Sequence, residues 1–291
     1  MIHTINDFNF YGNNSINTDE VIKALEMSKV LHLNNFSFEL TAAEAKTFLT
    51  PTILDQNAKN ISYNPNTQAL KGTKVQNSDE EKLLQMMKRF FEYSQNLITT
   101  LIPDYKDKLE IGKTSFRPIE IEGRKTSATK DDTRLHIDAF PSMPNQGKRI
   151  LRVFCNVNPE GKTRLWHLGE PFEDVLSKFA DSVYKPLPGL RKLLNRIGIT
   201  KSYRTLYDHY MLILHDNMKL NELYQQTVAK QEFHFPAKST WVVFTDSVSH
   251  AALKGQYLLE QTFYLPPDLM QNPQLSPLHV LEQHFGETLR G

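Results

Sequence analysis

The sequence predicts an α+β fold: a double-stranded β-helix (a cupin-like jelly roll) with flanking N-terminal helices and a helical insertion. Three observations predict it. From about residue 112, short stretches rich in β-branched and aromatic residues alternate with turn clusters. A helical pattern over about 170–228 then intervenes, and strand-like stretches return after it. Before them, about 1–110 carries mostly helical apolar spacing. Short strands bracketing a helical insertion are what two sheets closed on each other produce.

In chain order, "NTDEVIKALEMSKV" has Val21, Ile22 and Leu25 at helical spacing, and "VLHLNNFSFEL" alternates like an edge strand or strand pair. "TAAE" from Thr41 to Glu44 has capping-box spacing, so a helix is expected there. "ISYNPNTQALKGTKVQN" reads as a polar, turn-rich loop. Ser78 and Glu81 form a second capping-box pattern, opening a long amphipathic helix that stops before Pro103. Core strands are expected in "KTSFRPIEIE", "TRLHIDAF", "RILRVFCNVNP" and "TRLWHL". Helices follow from "EPFEDVLSKFADSV" to "YRTLYDHYMLILHDNMKLNELYQQ". "EFHFP", "STWVVFTDSVSHAAL" and "GQYLLEQTFYLPP" complete the core, about 111–268, and 269–291 reads as a C-terminal tail. No linker or repeat divides the chain, so one domain over 1–291 is expected.

The bulk composition narrows the function classes. The formal net charge of +1 does not call for nucleic acid. Cys155 is the only cysteine, which excludes an intrachain disulfide framework, and its apolar surroundings mark it as a buried small hydrophobe. "MIHTINDFNFYGNN" shows neither a basic n-region nor an apolar h-region, so no secretory signal is expected. No apolar run approaches the roughly 18 residues of a membrane span. A reducing cytoplasm is the compartment expected.

The stretch with chemistry in it is "TRLHIDAFPSMPNQGKRILRVF". His136 and Asp138 stand at i and i+2, so on a strand they share a face. A later strand, "WVVFTDSVSHAALKG", ends with His250 before a turn containing Gly255. Two imidazoles and one carboxylate from separate strands match the facial triad of non-haem Fe(II) oxygenases. Three protein ligands leave positions for a bidentate 2-oxo acid and dioxygen. The alternative reading is a solvated His136–Asp138 pair and a strand-end His250 bonded to backbone.

Four longer strings carry a resemblance: "RLHIDAFPSMPNQGKRILRVFCNVNP", "RLWHLGEPF", "YDHYMLILHDNMK" and "STWVVFTDSVSHAALKGQYLLEQTFYLP". Over about 110–268 the chain resembles the Kdo 3-hydroxylase family of Fe(II)/2-oxoglutarate dioxygenases. The resemblance implies that His136, Asp138 and His250 are the iron ligands and catalytic centre, with Fe(II), 2-oxoglutarate and O2 required. It implies hydroxylation at carbon 3 of Kdo, on Kdo-containing lipid A or its precursor in lipopolysaccharide biosynthesis. A cytoplasmic protein, peripheral at the inner-membrane surface, would meet that substrate.

The cosubstrate anchor has to be argued from the residues. Many such dioxygenases use an arginine about ten residues after the distal histidine, but "QYLLEQTFYLPP" has none. An arginine inside an apolar strand is costly without an anionic partner. Arg152, sharing a face with Phe154 and Asn156, is therefore the first candidate, and Arg164 of "TRLWHL" the second. Asn156 would hydrogen-bond cosubstrate or, alternatively, backbone. Arg117 of "SFRPIE" would hold 2-oxoglutarate or the sugar's carboxylate. Arg124, Lys125, Lys130, Lys148 and Arg149 would sit on loops near the site.

Other features receive structural readings. Trp166 and Trp241 read as core, and His209 and His215 do not share a helix face. In "LPGLRKLLNRIG", Leu190, Leu193, Leu194 and Ile197 form a stripe beside Arg191, Lys192 and Arg196. That helix reads as packed against the barrel, with an anionic bilayer as the alternative. Two other functions stay open: a hydroxylase of another anionic sugar or small molecule, and a non-catalytic metal-dependent sugar-binding jelly roll.

Overall fold

The computed structural model describes residues 2–6, 8–10 and 16–290. The remaining positions fall within the expected N-terminal flank and at the end of the expected tail, and lie outside the described residues. The N-terminal third runs β1 (Ile2–Ile5), α1 (Thr18–Glu26), β2 (Val30–Leu33), α2 (Ala42–Phe48), β3 (Ile61–Asn64), β4 (Ala69–Lys71) and α3 (Ser78–Leu101). The core begins with β5 (Glu110–Arg117), β6 (Arg149–Asn156) and β7 (Arg164–Pro171). The insertion contributes α4 (Phe172–Phe179), α5 (Leu190–Arg196), α6 (Leu206–Leu220) and α7 (Glu222–Thr227). After it come β8 (Gln231–Phe235), β9 (Ser239–Phe244), β10 (Val248–Lys254), β11 (Leu258–Leu265) and α8 (Pro277–Phe285).

The large sheet has the order β1-β2-β9-β6-β11-β5-β3-β4, and a second sheet has the order β10-β7-β8. Strands distant in sequence thus become neighbours, as a jelly roll requires. Every residue of β6 is buried, which fits a central strand covered on both faces. Leu151 and Val153 pack with α1 and α3 on the outer face, while Arg152 and Phe154 alternate to the inner one. Between the sheets, Trp241 stacks on Phe154 (5.3 Å) and Phe235 (4.0 Å), and Trp166 meets it edge-on at 5.6 Å. Burying each such ring is worth roughly 1.5–3 kcal/mol. This aromatic block fixes the spacing of the sheets beside the site.

Several expectations need correction. The N-terminal flank has its expected helices and, in β2, its expected strand, but β1, β3 and β4 join the large sheet as well. The stretch expected as a loop folds into the β3–β4 hairpin, where Ile61 and Tyr63 are buried at period two. The Thr41–Glu44 capping box forms in both directions. The Ser78–Glu81 box does not, because Ser78 is already the first helical residue; Asp79, Glu80 and Glu81 instead complement the dipole of α3. α3 buries Leu83, Met86, Met87, Phe90, Leu97, Ile98 and Leu101 and ends before Pro103. The tail contains α8, whose Leu278 and Leu281 pack with α4 and α6. Helix α5 is not packed on the barrel and buries none of its residues. Cys155 is buried as expected, and burial pushes its thiol up to about 11.

Arg149 is also not a loop cation. It opens β6 on the outer face, fully buried, with Nε donating to Asp246 Oδ2 at 2.7 Å and Nη2 to Ser247 Oγ at 2.8 Å. Its guanidinium lies 4.0 Å from the Phe244 ring centroid. Removing one partner of such a pair strands a buried charge. Asp246→Ala is expected to lower unfolding free energy by about 3–5 kcal/mol in a denaturant titration. A loss under about 1 kcal/mol would be the behaviour of a surface pair.

Candidate metal centre

His136 and His250 are brought together by one antiparallel bridge. His136 N donates to His250 O at 3.0 Å, and His250 N donates to His136 O at 2.9 Å. Residues that exchange both bonds across an antiparallel pair project their side chains to the same face. Asp138, two residues on, returns to that face, and its own N donates to Thr245 O at 2.8 Å. The ring centroids of the histidines lie 4.6 Å apart, and Asp138 Oδ1 is 3.8 Å from His136 Nε2. One ligand atom from each residue lies within 4.8 Å of the others.

The local frame differs from the expected one in two respects. His136 forms only this single bridge, and residues 135–138 belong to no regular strand. Upstream, Asp131 Oδ1 accepts from Thr133 N (2.9 Å), a side-chain turn that breaks the ladder. His250 lies inside β10 rather than at its end.

Backbone carbonyls orient both imidazoles. His136 Nδ1 is 2.8 Å from Arg134 O, and His250 Nδ1 is 2.8 Å from Val248 O. A carbonyl only accepts, so each Nδ1 carries the hydrogen and each Nε2 presents a lone pair. Burial, then the neighbouring His250, depresses the His136 pKa well below its ordinary value; burial likewise lowers that of His250. Burial opposes ionisation of Asp138, yet the charge of Arg152 foremost outweighs it and holds its carboxyl below the usual carboxylate range. Two neutral nitrogen donors and one carboxylate fit an Fe(II)-type divalent cation and leave coordination positions for small ligands.

These groups form one wall of a cavity of about 320 Å³. Arg117, Arg152 and Arg164 also line it. Arg152 Nη1 lies 3.3 Å from both Asp138 Oδ2 and Glu260 Oε1. Glu260 also accepts from Arg117 Nε (3.1 Å) and Nη2 (2.9 Å). Arg164 Nη1 donates to Gly255 O at 3.1 Å. Gly255 has φ +127°, and a Cβ there would approach Arg164 Cα to 3.0 Å, so the turn places glycine against this arginine. Burial, then the charge of Arg117, lowers the Arg164 pKa to about 9. Among the described residues, Arg152 Nε, Arg164 Nε and Trp166 Nε1 are buried without a hydrogen-bond partner. Such donors around a cavity suit a polar, anionic ligand.

Asn156 is not brought to the cavity. Its Nδ2 donates to Lys162 O (3.0 Å) and Phe235 O (3.2 Å), and its Oδ1 accepts from Asn158 N (3.1 Å). The amide is saturated by backbone, which corrects its assignment to the cosubstrate. Conversely, Trp166, His215, Lys219 and Glu260 line the cavity without having been foreseen. Trp166 stacks on His250 at 5.1 Å, and His215 meets His136 edge-on at 5.5 Å. Glu260 carried a signal, as a carboxylate at mid-strand in "YLLEQTF".

Residues 12–288 match the family model for 3-deoxy-D-manno-oct-2-ulosonic acid (Kdo) hydroxylase. The chain belongs to the Kdo hydroxylase family. It is similar to the crystal structure of the Kdo hydroxylase KdoO, a non-heme Fe(II) alphaketoglutarate dependent dioxygenase, in complex with cobalt(II). That match has 47% identity and a TM-score of 0.96, covering 100% of this chain and 97% of the other. KdoO in complex with alphaketoglutarate and Fe(III) matches at 46% identity and TM-score 0.94, covering 99% and 97%. KdoO with succinate and Fe(III) matches at 46% and 0.95, covering 100% and 97%. No match is found among the curated proteins compared.

For this Kdo hydroxylase family member, metal binding is directly measurable. Titration with Co(II), followed by visible absorption, is expected to saturate at one equivalent in the wild-type protein. His136→Ala and His250→Ala are each expected to weaken binding by at least about 100-fold while the metal-free melting temperature stays within a few degrees. Retained affinity in both variants would refute the ligand set.

Proposed function

We propose that the chain is an Fe(II)/2-oxoglutarate-dependent dioxygenase that hydroxylates carbon 3 of Kdo on lipid A or its precursor. The observation that carries this reading is the convergence of His136, Asp138 and His250 beside a cavity with buried, unpaired arginine donors. His136, Asp138 and His250 would hold the iron. When bound, iron and 2-oxoglutarate supply the oxidising chemistry: one atom of dioxygen enters succinate as carbon dioxide leaves, and the other becomes the sugar's hydroxyl.

The chain's own residues set the conditions for that chemistry. The backbone carbonyls of Arg134 and Val248 keep both Nε2 lone pairs aimed at one point. Arg152 keeps Asp138 ionised and, with Arg164, takes the carboxylates of 2-oxoglutarate; a guanidinium offers two parallel donors to such a group. Arg117, at the cavity wall and paired with Glu260, flanks the anionic sugar. The stacked face of Trp166 restricts how His250 can turn. The whole chain, 1–291, acts as one dioxygenase domain in this reading, which the shared sheet of N-terminal and core strands supports.

Two experiments test it. 2-Oxoglutarate consumption should rise on adding Kdo-containing lipid A, and mass spectrometry should find one added oxygen on the sugar. Arg164→Met should raise the KM for 2-oxoglutarate about 30-fold or more, since truncating one side of a buried charge pair costs at least about 2 kcal/mol. Equal turnover with and without the lipid, or an unchanged KM, would overturn these assignments.

Peripheral contact with the inner-membrane surface is the second part of the reading. No helix among the described residues is long and apolar enough to cross a membrane. Around α5, however, Leu193 is 52% exposed and Ile197 57%, beside exposed Lys192 and Arg196. Apolar and cationic side chains together suit an anionic bilayer surface. This segment is tied to the cavity rim: Lys201 N donates to Ser142 O (3.0 Å) and Arg204 Nη2 to Pro141 O (2.5 Å), and Pro141 lines the cavity. Leu193→Glu with Ile197→Glu should reduce cosedimentation with phosphatidylglycerol vesicles several-fold. Turnover of a deacylated, soluble substrate should remain unchanged; undiminished vesicle binding would refute the assignment.

A further inference from the structure

The cavity carries more positive charge than a metal ion and its cosubstrate can use. Six cations line it: Lys59, Arg117, Lys130, Arg152, Arg164 and Lys219. Among the described residues, three carboxylates face them, Asp132, Asp138 and Glu260. A divalent ion and a dianionic 2-oxo acid cancel each other. The formal excess of three positive charges therefore remains for a further anion.

The geometry identifies where the excess is concentrated. Asp132 serves three cations at once: Lys59 Nζ at 2.7 Å, Arg117 Nη1 at 3.5 Å and Lys219 Nζ at 4.0 Å. Lys59 takes the close position, and Arg117 has Glu260 as its main partner. Lys219 is left with the distant edge of Asp132 and a 3.3 Å contact to the carbonyl of Thr129. Yet it is the most deeply enclosed lysine of the lining, only 2% exposed. An ammonium taken out of water with so little compensation is costly unless an anion arrives.

Its place on α6 gives the site a direction. Lys219 stands four residues, about 6 Å of helical rise, beyond His215, whose ring lies against the His136 ring. An anion held at Lys219 sits next to the proposed iron rather than at a remote surface. Lys219 is also contributed by a helix, whereas Arg152 and Arg164 come from β6 and β7.

We propose that Lys219 receives the carboxylate of the acidic sugar, with Lys59 closing over it from the rim. This rests on the reading of the chain as a hydroxylase of such a sugar and assigns the group that selects it. Burial lowers the Lys219 pKa and Asp132 only partly restores it, so a bound carboxylate would complete the pairing. Carboxylate binding fixes the ring's orientation and thus which C–H bond faces the metal.

The test compares the Kdo-bearing lipid with its carboxamide, in which the sugar's carboxylate is neutral. For the wild-type holoenzyme, kcat/KM should fall about 10- to 100-fold on the amide, mainly through KM. Lys219→Met should show a comparable loss on the acid and little further loss on the amide, and Lys219→Arg should recover part of it. Co(II) binding and melting temperature check that the Met variant is folded; if it is not, the wild-type comparison alone decides. Equal wild-type kinetics on acid and amide, or losses that simply add, would overturn the proposal while leaving the hydroxylase reading in place. Absence of hydroxylation of the acid by the wild type would instead remove that reading, and the proposal with it.

Discussion

The site depends on one reciprocal pair of backbone hydrogen bonds, between His136 and His250. Each bond by itself is worth only about 0.5–1.5 kcal/mol net. Their effect here is geometric. A hydrogen-bonded antiparallel pair has a fixed face, so two imidazoles from distant parts of the chain cannot avoid each other, and Asp138 joins them through the period of two. The Nδ1 contacts to Arg134 O and Val248 O then remove the remaining freedom of ring flip and tautomer. A triad brought together this way needs no regular strand around His136, only the one bridge.

Charge is managed by the same economy of elements. Burying Asp138, Arg152, Glu260 and Arg117 together is tolerable because each lies against an opposite charge, in the chain Asp138–Arg152–Glu260–Arg117–Asp132. Glu260 stands about ten residues after His250, where many related dioxygenases carry the anchoring arginine. Its negative charge inverts the usual arrangement. Instead of presenting a cation itself, β11 grips two cations from β5 and β6 and holds them at the cavity wall. The arginine that lacks a carboxylate partner, Arg164, is the one whose proton affinity is lowered.

Much of this was legible in the sequence where a rule of period or cost applies. The His136–Asp138 spacing gave a shared face, and the burial cost of a mid-strand guanidinium pointed to Arg152. The same cost rule applies to Glu260, whose carboxylate holds the cations instead of anchoring an anion itself. Asn156 failed for the opposite reason. Its alternation with Arg152 is real, yet at the strand's end the nearest unsatisfied groups are the backbone atoms of Lys162, Phe235 and Asn158. His215 and Lys219 were invisible as a pair with the triad, because helix periodicity relates them to each other but nothing local relates α6 to the His136 bridge. The β3–β4 hairpin reads as loop in the sequence because its turn residues outnumber its two buried positions.

Where the chain places rigidity and exposure follows from these constraints. The stacked rings of Phe154, Trp241 and Phe235 fill the space between the sheets, so the metal-side wall is backed by close packing. The opposite boundary is built from the segment after Asp138: Phe140 and Pro141 line the cavity, and Ser142 and Pro144 accept hydrogen bonds from Lys201 and Ser202 beyond α5. One short strip of backbone therefore runs from Asp138 toward an exposed apolar and cationic helix. In the proposed reading, the lipid end of the substrate rests at that helix while the acidic sugar enters the cavity.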